Sequence, residues 1–167
     1  MNYSLVVHGG AGVWKGARRR KGLHGVRRAA SNGMDILRNE GTALDAVESS
    51  VVTMEDDSTF NAGYGSALNL PGQVEMDASI MDGQTLQAGA VALVTQVKNP
   101  IRLARLVMEK TDHVLIAASG AEQLARLFRL ESRNPVTHRA KSSSRLLRAQ
   151  LARGAVGYLS KISEIVQ

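Results

Sequence analysis

Residues 60–83, FNAGYGSALNLPGQVEMDASIMDG, constrain this chain more than any other stretch. Asn61-Ala62-Gly63-Tyr64-Gly65-Ser66 sets two glycines one residue apart among small side chains, a composition that lets backbone turn tightly and approach other groups closely. Such a loop is built from main chain. Directly after it, residues 66–70 and 73–77 flank Pro71-Gly72, which predicts two short strands joined by a tight turn. On these features alone the stretch is a hairpin preceded by a glycine loop.

Around it the apolar pattern alternates between strand and helix, so the chain reads as α/β. Residues 4–7 are an apolar run ending at His8-Gly9-Gly10-Ala11-Gly12, a strand delivering a turn whose N–H groups are able to face an anion or a carbonyl oxygen. Between Gly22 and Gly41, Val26, Ala29, Ala30, Gly33, Met34, Ile36 and Leu37 recur at helical spacing, and Gly41 stops the helix. Thr42 with Asp45 predicts a capping box for a second helix, whose stripe Leu44, Val47, Val51 and Met54 is expected to face the core. Residues 88–94, AGAVALV, read as a strand buried on both faces. Asn99-Pro100 starts a helix running to about Lys110 with Ile101, Ala104, Val107 and Met108 on one face. Residues 113–117 read as a strand and 120–130 as a helix with Leu124, Leu127 and Phe128 inward.

With aromatic residues at 4% and a length of 167 residues, the core is that of one domain filled by aliphatic side chains. The absence of cysteine excludes disulfides, zinc-thiolate sites and a cysteine nucleophile, and suits a cytoplasmic protein. The N-terminal apolar run is too short for a signal-peptide core, and no run approaches membrane-spanning length. Of the net charge of +6, residues 131–167 carry +5. That region, with Asn134-Pro135 and Ser142-Ser143-Ser144, reads as a mobile linker over 131–144 and a weak helix over 145–166 interrupted by Gly154 and Gly157. A second basic cluster lies at Lys15, Arg18, Arg19, Arg20 and Lys21. Aromatic stacking partners are missing there apart from Trp14, so a solvated basic face is expected rather than nucleic-acid binding. Glu55-Asp56-Asp57 lacks the alternation and glycine of a calcium loop.

The segments HGGAG, NAGYGSALN and VEMDASIMDG together resemble the plant-type L-asparaginase and isoaspartyl peptidase family of N-terminal-threonine hydrolases. NPIRLARLVMEKTDHVL and SGAEQLA extend the resemblance to about Ala125. It implies a four-layer αββα sandwich of the N-terminal-nucleophile hydrolase type, of which residues 1–130 supply part and residues 131–167 form a basic, partly flexible tail leading to a cleavage point. Family members cut themselves before a threonine that becomes both nucleophile and base, in a Gly-Thr-Val-Gly type motif. The threonines at 42, 53, 59, 85, 95, 111 and 137 all lack that context. The resemblance is therefore to an α subunit, with no catalytic nucleophile of its own, acting with a Thr-initiated β subunit in an (αβ)2 assembly on the side-chain amide of L-asparagine and on β-aspartyl dipeptides. The ending Ile165-Val166-Gln167 departs from the Gly or Asp common before the cut.

Carried over residue by residue, the resemblance assigns Gly9 and Gly10 to the loop beneath the active site and Asn61 to holding the neighbourhood of the threonine. It assigns a structural sodium ion to the main-chain carbonyls of Met54, Glu55, Asp57, Phe60, Ala62 and Tyr64, and no other cofactor. Without it, Asn61 is a turn residue satisfying its own backbone and His8 a structural histidine. The alternatives are a related threonine hydrolase acting on glycosylated asparagine, and a non-catalytic scaffold without the β half.

Overall fold

The computed structural model describes residues 3–153, so the helical pattern expected beyond residue 153 lies outside the described residues. In order the elements are α1 (Gly16–Arg38), α2 (Ala43–Glu55), β1 (Met76–Met81), β2 (Ala88–Val94), α3 (Pro100–Lys110), β3 (Leu115–Ala117), α4 (Ala118–Leu127) and α5 (His138–Leu151). The α/β alternation read from the sequence holds.

Helix α1 begins at Gly16, ahead of the expected Gly22: arginine and lysine are good helix formers, and their propensity carries the helix through the basic run although positive charge at its N-terminus opposes the dipole. It closes with Glu40, not Gly41, in the left-handed region at φ 63°. The Gly41 N–H then reaches the Ile36 carbonyl at 2.9 Å and the Glu40 N–H the Leu37 carbonyl at 3.3 Å, the paired bonds of a Schellman end. The capping box opening α2 forms as expected: the Thr42 hydroxyl accepts from the Asp45 N–H at 3.1 Å, and the Asp45 carboxylate accepts from the Thr42 N–H at 3.0 Å.

The expected core stripe of α2 holds in part: Leu44 and Val51 pack against the core, and Val47 does not. Val47 is exposed and Leu44, Val51 and Met54 are half-buried, whereas Ala46, Ser50 and Glu55 are buried. The partner decides this, because α1 presents a seam of Ala29 and Gly33 to α2, and a Cβ on Gly33 would sit 2.2 Å from Ser50 Oγ and 2.8 Å from the Ala46 oxygen. Ser50 secures the seam, its hydroxyl lying 3.0 Å from the Ala29 carbonyl and 2.8 Å from that of Ala46.

The sheet has the order β1-β2-β3, β1 antiparallel to β2 and β2 parallel to β3. Its inner face carries Met76, Ile80, Val91 and Val94, packed against Leu103, Ala104 and Val107 of α3 and Ala121 and Ala125 of α4. β2 is not buried on both faces: Gly89, Val91 and Val94 are buried, Ala88, Ala90 and Ala92 are half-buried, and Leu93 is exposed. The described chain covers one face of the sheet only, so the complete four-layer sandwich is not present within it. Residues 4–7, expected as a strand, form none among the described residues. No strand forms over 66–70, and β1 starts at Met76. The Pro71-Gly72 turn is there, with the Gly72 N–H on the Asn69 carbonyl at 3.0 Å, but the Asn69 side chain takes the Gln73 N–H at 2.8 Å and ends the ladder.

In α4, Leu127 and Phe128 point outward, because the helix lies on the sheet through Ala121 and Ala125. The segment read as a linker is docked. Ser132 bridges to Val97, the Arg133 N–H donates to the Gln96 carbonyl at 2.8 Å, and Thr137 caps α5 by accepting from the Ala140 N–H at 3.1 Å. Ser142, Ser143 and Ser144 are helical. Among the described residues no helix is long and apolar enough to cross a membrane.

Candidate functional site

A cleft of about 700 Å³ is walled by the 8–12 loop, the start of α1, the 60–68 loop and the inner side of α5. It brings together Gly9, Gly10 and Asn61, three residues far apart in sequence. Gly9 allows the loop to lie against its neighbours, since a Cβ there would sit 2.8 Å from Val26 Cγ1 and 3.1 Å from Phe60 Cε1. Gly10 adopts φ +100°, its N–H donates to His8 Nδ1 at 3.3 Å and its carbonyl accepts from Trp14 Nε1 at 2.9 Å. His8 is thus a hydrogen-bonded part of the loop. Trp14 packs on Phe60 with ring centroids 5.9 Å apart, and Arg18 lies 4.8 Å from the Trp14 ring.

Asn61 satisfies its own loop, as the turn reading expects, and lines the cleft. Its Oδ1 accepts from the Ala67 N–H at 2.7 Å, which satisfies the loop and fixes which end of the amide is oxygen. Its Nδ2 has no protein acceptor among the described residues, and the residue lines the cleft. The amide keeps its donor end free of protein partners among the described residues.

The loop from Met54 to Tyr64 is held by its own carbonyls. The Glu55 carbonyl accepts from the Tyr64 N–H at 2.7 Å, that of Met54 from the Asp57 N–H at 3.2 Å, and that of Asp57 from the Phe60 N–H at 3.1 Å. Each oxygen keeps a second lone pair, and among the described residues the carbonyls of Ala62 and Tyr64 carry no such bond. The Glu55 side chain is separate from this. It is buried, with Oε1 accepting from the Ile101 N–H at 3.0 Å at the start of α3 and Oε2 without a partner among the described residues. Burial pushes its pKa up to about 8, against the lowering effect of the Ile101 N–H and the nearby Asn99 amide. Among the described residues no group of three or more His, Cys, Asp or Glu side chains is placed to hold a metal.

Sequence reasoning missed the tail as part of the site. Arg139, Ala140, Ser143, Leu147 and Gln150 of α5 form one wall. The available signal was Thr137, a helix cap inside a segment read as linker. Nothing local shows where that helix docks.

The geometry thus defines an α/β chain, covered on one face of its sheet, whose cleft is framed by two glycine loops and an asparagine amide. Residues 1–163 match the asparaginase family, and the chain belongs to it. It is 47% identical over 165 residues to a plant-type L-asparaginase of Pyrococcus horikoshii, covering 98% of this chain and 54% of the relative. The plant-type L-asparaginase of Pyrococcus furiosus is 48% identical over 166 residues, covering 98% and 54%. An isoaspartyl peptidase/L-asparaginase of Homo sapiens is 56% identical over 126 residues, covering 75% of this chain and 41% of the relative. The chain spans about half the length of the curated relatives it matches.

Proposed function

We propose that the chain is the α half of an amidohydrolase that cleaves the side-chain amide of L-asparagine and β-aspartyl dipeptides, with a threonine nucleophile supplied by a Thr-initiated β half. The observation that carries this is the convergence of the 8–12 loop and Asn61 on one cleft in a chain of the asparaginase family. In this reading the glycine loop brings backbone to the cleft floor with no side chain in the way, and Asn61 Nδ2 donates to the segment carrying the nucleophile. The uncovered sheet face is where the β half packs, and two such αβ units pair.

A sodium ion fits the Met54 to Tyr64 loop on the chemistry of its donors. The loop presents carbonyls, and among the described residues those of Ala62 and Tyr64 accept no backbone bond. The carbonyls of Met54, Glu55, Asp57, Phe60, Ala62 and Tyr64 would hold the ion, which would supply charge that aligns their dipoles and stiffens the loop.

The test is co-expression with a Thr-initiated β half, followed by ammonia release from L-asparagine and from a β-aspartyl dipeptide. Release from both is expected. A correctly assembled pair that releases neither overturns the reading in favour of a non-catalytic scaffold, and release only from glycosylated asparagine moves it to the related hydrolases.

A further inference from the structure

Three arginines from beyond α4 reach back onto one loop. Arg133 lies 3.8 Å over the Tyr64 ring, and Arg148 donates to the Leu70 carbonyl. Arg139 makes a different contact. Its Nη2 lies 2.8 Å from the Ser58 carbonyl oxygen, 3.3 Å from that of Phe60 and 2.9 Å from that of Gly65. Two hydrogens on that nitrogen serve three oxygens, so this is a charge set among converging dipoles rather than three separate directional bonds. Converging carbonyl oxygens repel one another, and a cation between them reverses the sign.

Gly65 records the same convergence independently. It adopts φ +143°, and a Cβ there would sit 2.7 Å from the Phe60 oxygen and 2.9 Å from the Ser58 oxygen. Arg139 forms no ion pair among the described residues. Burial, and then the charge of Arg18, lower its pKa, so the carbonyls are what compensate its desolvation.

We infer that Arg139 is a positioning residue for Asn61: its guanidinium gathers carbonyls from both sides of Asn61 and so holds the Asn61 amide at the cleft. Ser58 and Phe60 precede Asn61 and Gly65 follows it, so one charge pins both ends of the short arc. Arginine suits the task because it stays charged when partly buried and its planar head fits between carbonyls. Lysine offers a compact, strongly hydrated ammonium that does not. The role in catalysis rests on the amidohydrolase reading above, whereas the clamp itself does not.

The experiment uses Arg139→Met and Arg139→Lys in the full protein. Amide hydrogen exchange is read at Ala67, whose N–H is bonded to Asn61 Oδ1, and at Val91 and Val94 in the sheet core. Collisional quenching of Trp14, the chain's single tryptophan, reports the Phe60 contact. Arg139→Met is expected to speed Ala67 exchange at least about tenfold, the factor set by losing one charge-assisted hydrogen bond, while Val91 and Val94 keep wild-type protection. Added methylguanidinium restores Ala67 protection and Trp14 shielding, and Arg139→Lys lies between. In the assembled enzyme kcat falls by a similar factor with KM little changed.

Unchanged Ala67 exchange in Arg139→Met overturns the inference. So does loss of protection that extends equally to Val91 and Val94, or a defect that methylguanidinium does not reverse. If Arg139→Met does not fold, Arg139→Lys decides, and full wild-type exchange in it overturns the inference. An inactive wild-type pair with intact exchange effects defeats the amidohydrolase reading and leaves the clamp standing.

Discussion

Glu55 shows most sharply what a single residue does here. Its main chain belongs to the loop, its carbonyl accepting from Tyr64, while its side chain runs into the core to cap α3 through the Ile101 N–H. From the sequence alone, Glu55→Ala is expected to be tolerated better than a backbone change such as Ala62→Pro, because the resemblance assigns a task only to the carbonyl. The buried carboxyl changes that expectation. Glu55→Ala leaves the Ile101 N–H without its acceptor and opens a cavity, which should cost about 2–4 kcal/mol. Glu55→Gln keeps an oxygen for Ile101 and, like the carboxyl that burial keeps protonated, is neutral, so it should stay within about 1 kcal/mol of wild type. Urea unfolding of the two variants checks the difference, and equal losses would show that the side chain's bond to α3 contributes nothing.

At the scale of elements, α2 and α3 are joined by charge as well as packing. Arg105 of α3 reaches Asp45 at 2.7 Å and Glu48 at 2.8 Å on α2, and Glu109 at 2.7 Å on its own helix. The Thr42 hydroxyl first, and then Arg105, hold the Asp45 pKa down to about 2 from its usual 3.8. A carboxyl with a depressed folded pKa adds stability that is present above pH 3.8 and is lost as pH falls through about 2. Asp45→Ala is therefore expected to lower stability by about 1 kcal/mol at neutral pH, mainly through the cap, with the ion pair screened at this half-exposed position. The gap from wild type should close between pH 4 and pH 2, which thermal melts across that range would show. A gap that persists at pH 2 would place the effect outside the carboxylate. The tail elements follow the same logic of long-range tethering: α5 docks through Ala140, Leu147 and Leu151 and through Arg139 and Arg148 on loop carbonyls, contacts that its basic, polar sequence did not reveal.

For the whole molecule, the decisive feature is the uncovered side of the sheet. Met81 and Leu115 are each 57% exposed and Leu93 47%, with Ala88, Ala90 and Ala92 between them. A sheet face of this composition, flanked by unpaired edges of β1 and β3 among the described residues, promotes association. The 167-residue chain alone is expected to self-associate or melt without a sharp transition, and to become a defined unit with a β half. Sedimentation and thermal melting check this. A soluble monomer with one cooperative transition would show that these residues close their own core.

The features legible in the sequence were those decided by neighbours along the chain. The Thr42–Asp45 box, the Pro100 start of α3, the Pro71-Gly72 turn and the 88–94 strand each follow from a few adjacent residues whose preferences agree. The motifs HGGAG and NAGYGSALN also marked both loops of the cleft, since glycine placement is itself a local record of backbone shape. Which side of a helix is buried was decided by tertiary structure, as the small-residue seam of α1 shows for α2. So were the open face of β2, the burial of the Glu55 carboxyl and the docking of α5. Arg139 and Phe60 stand 79 residues apart, and no local propensity encodes a guanidinium meeting carbonyls across that separation. Such contacts depend on which surfaces the folded elements bring together, and their energies exist only after that packing is made.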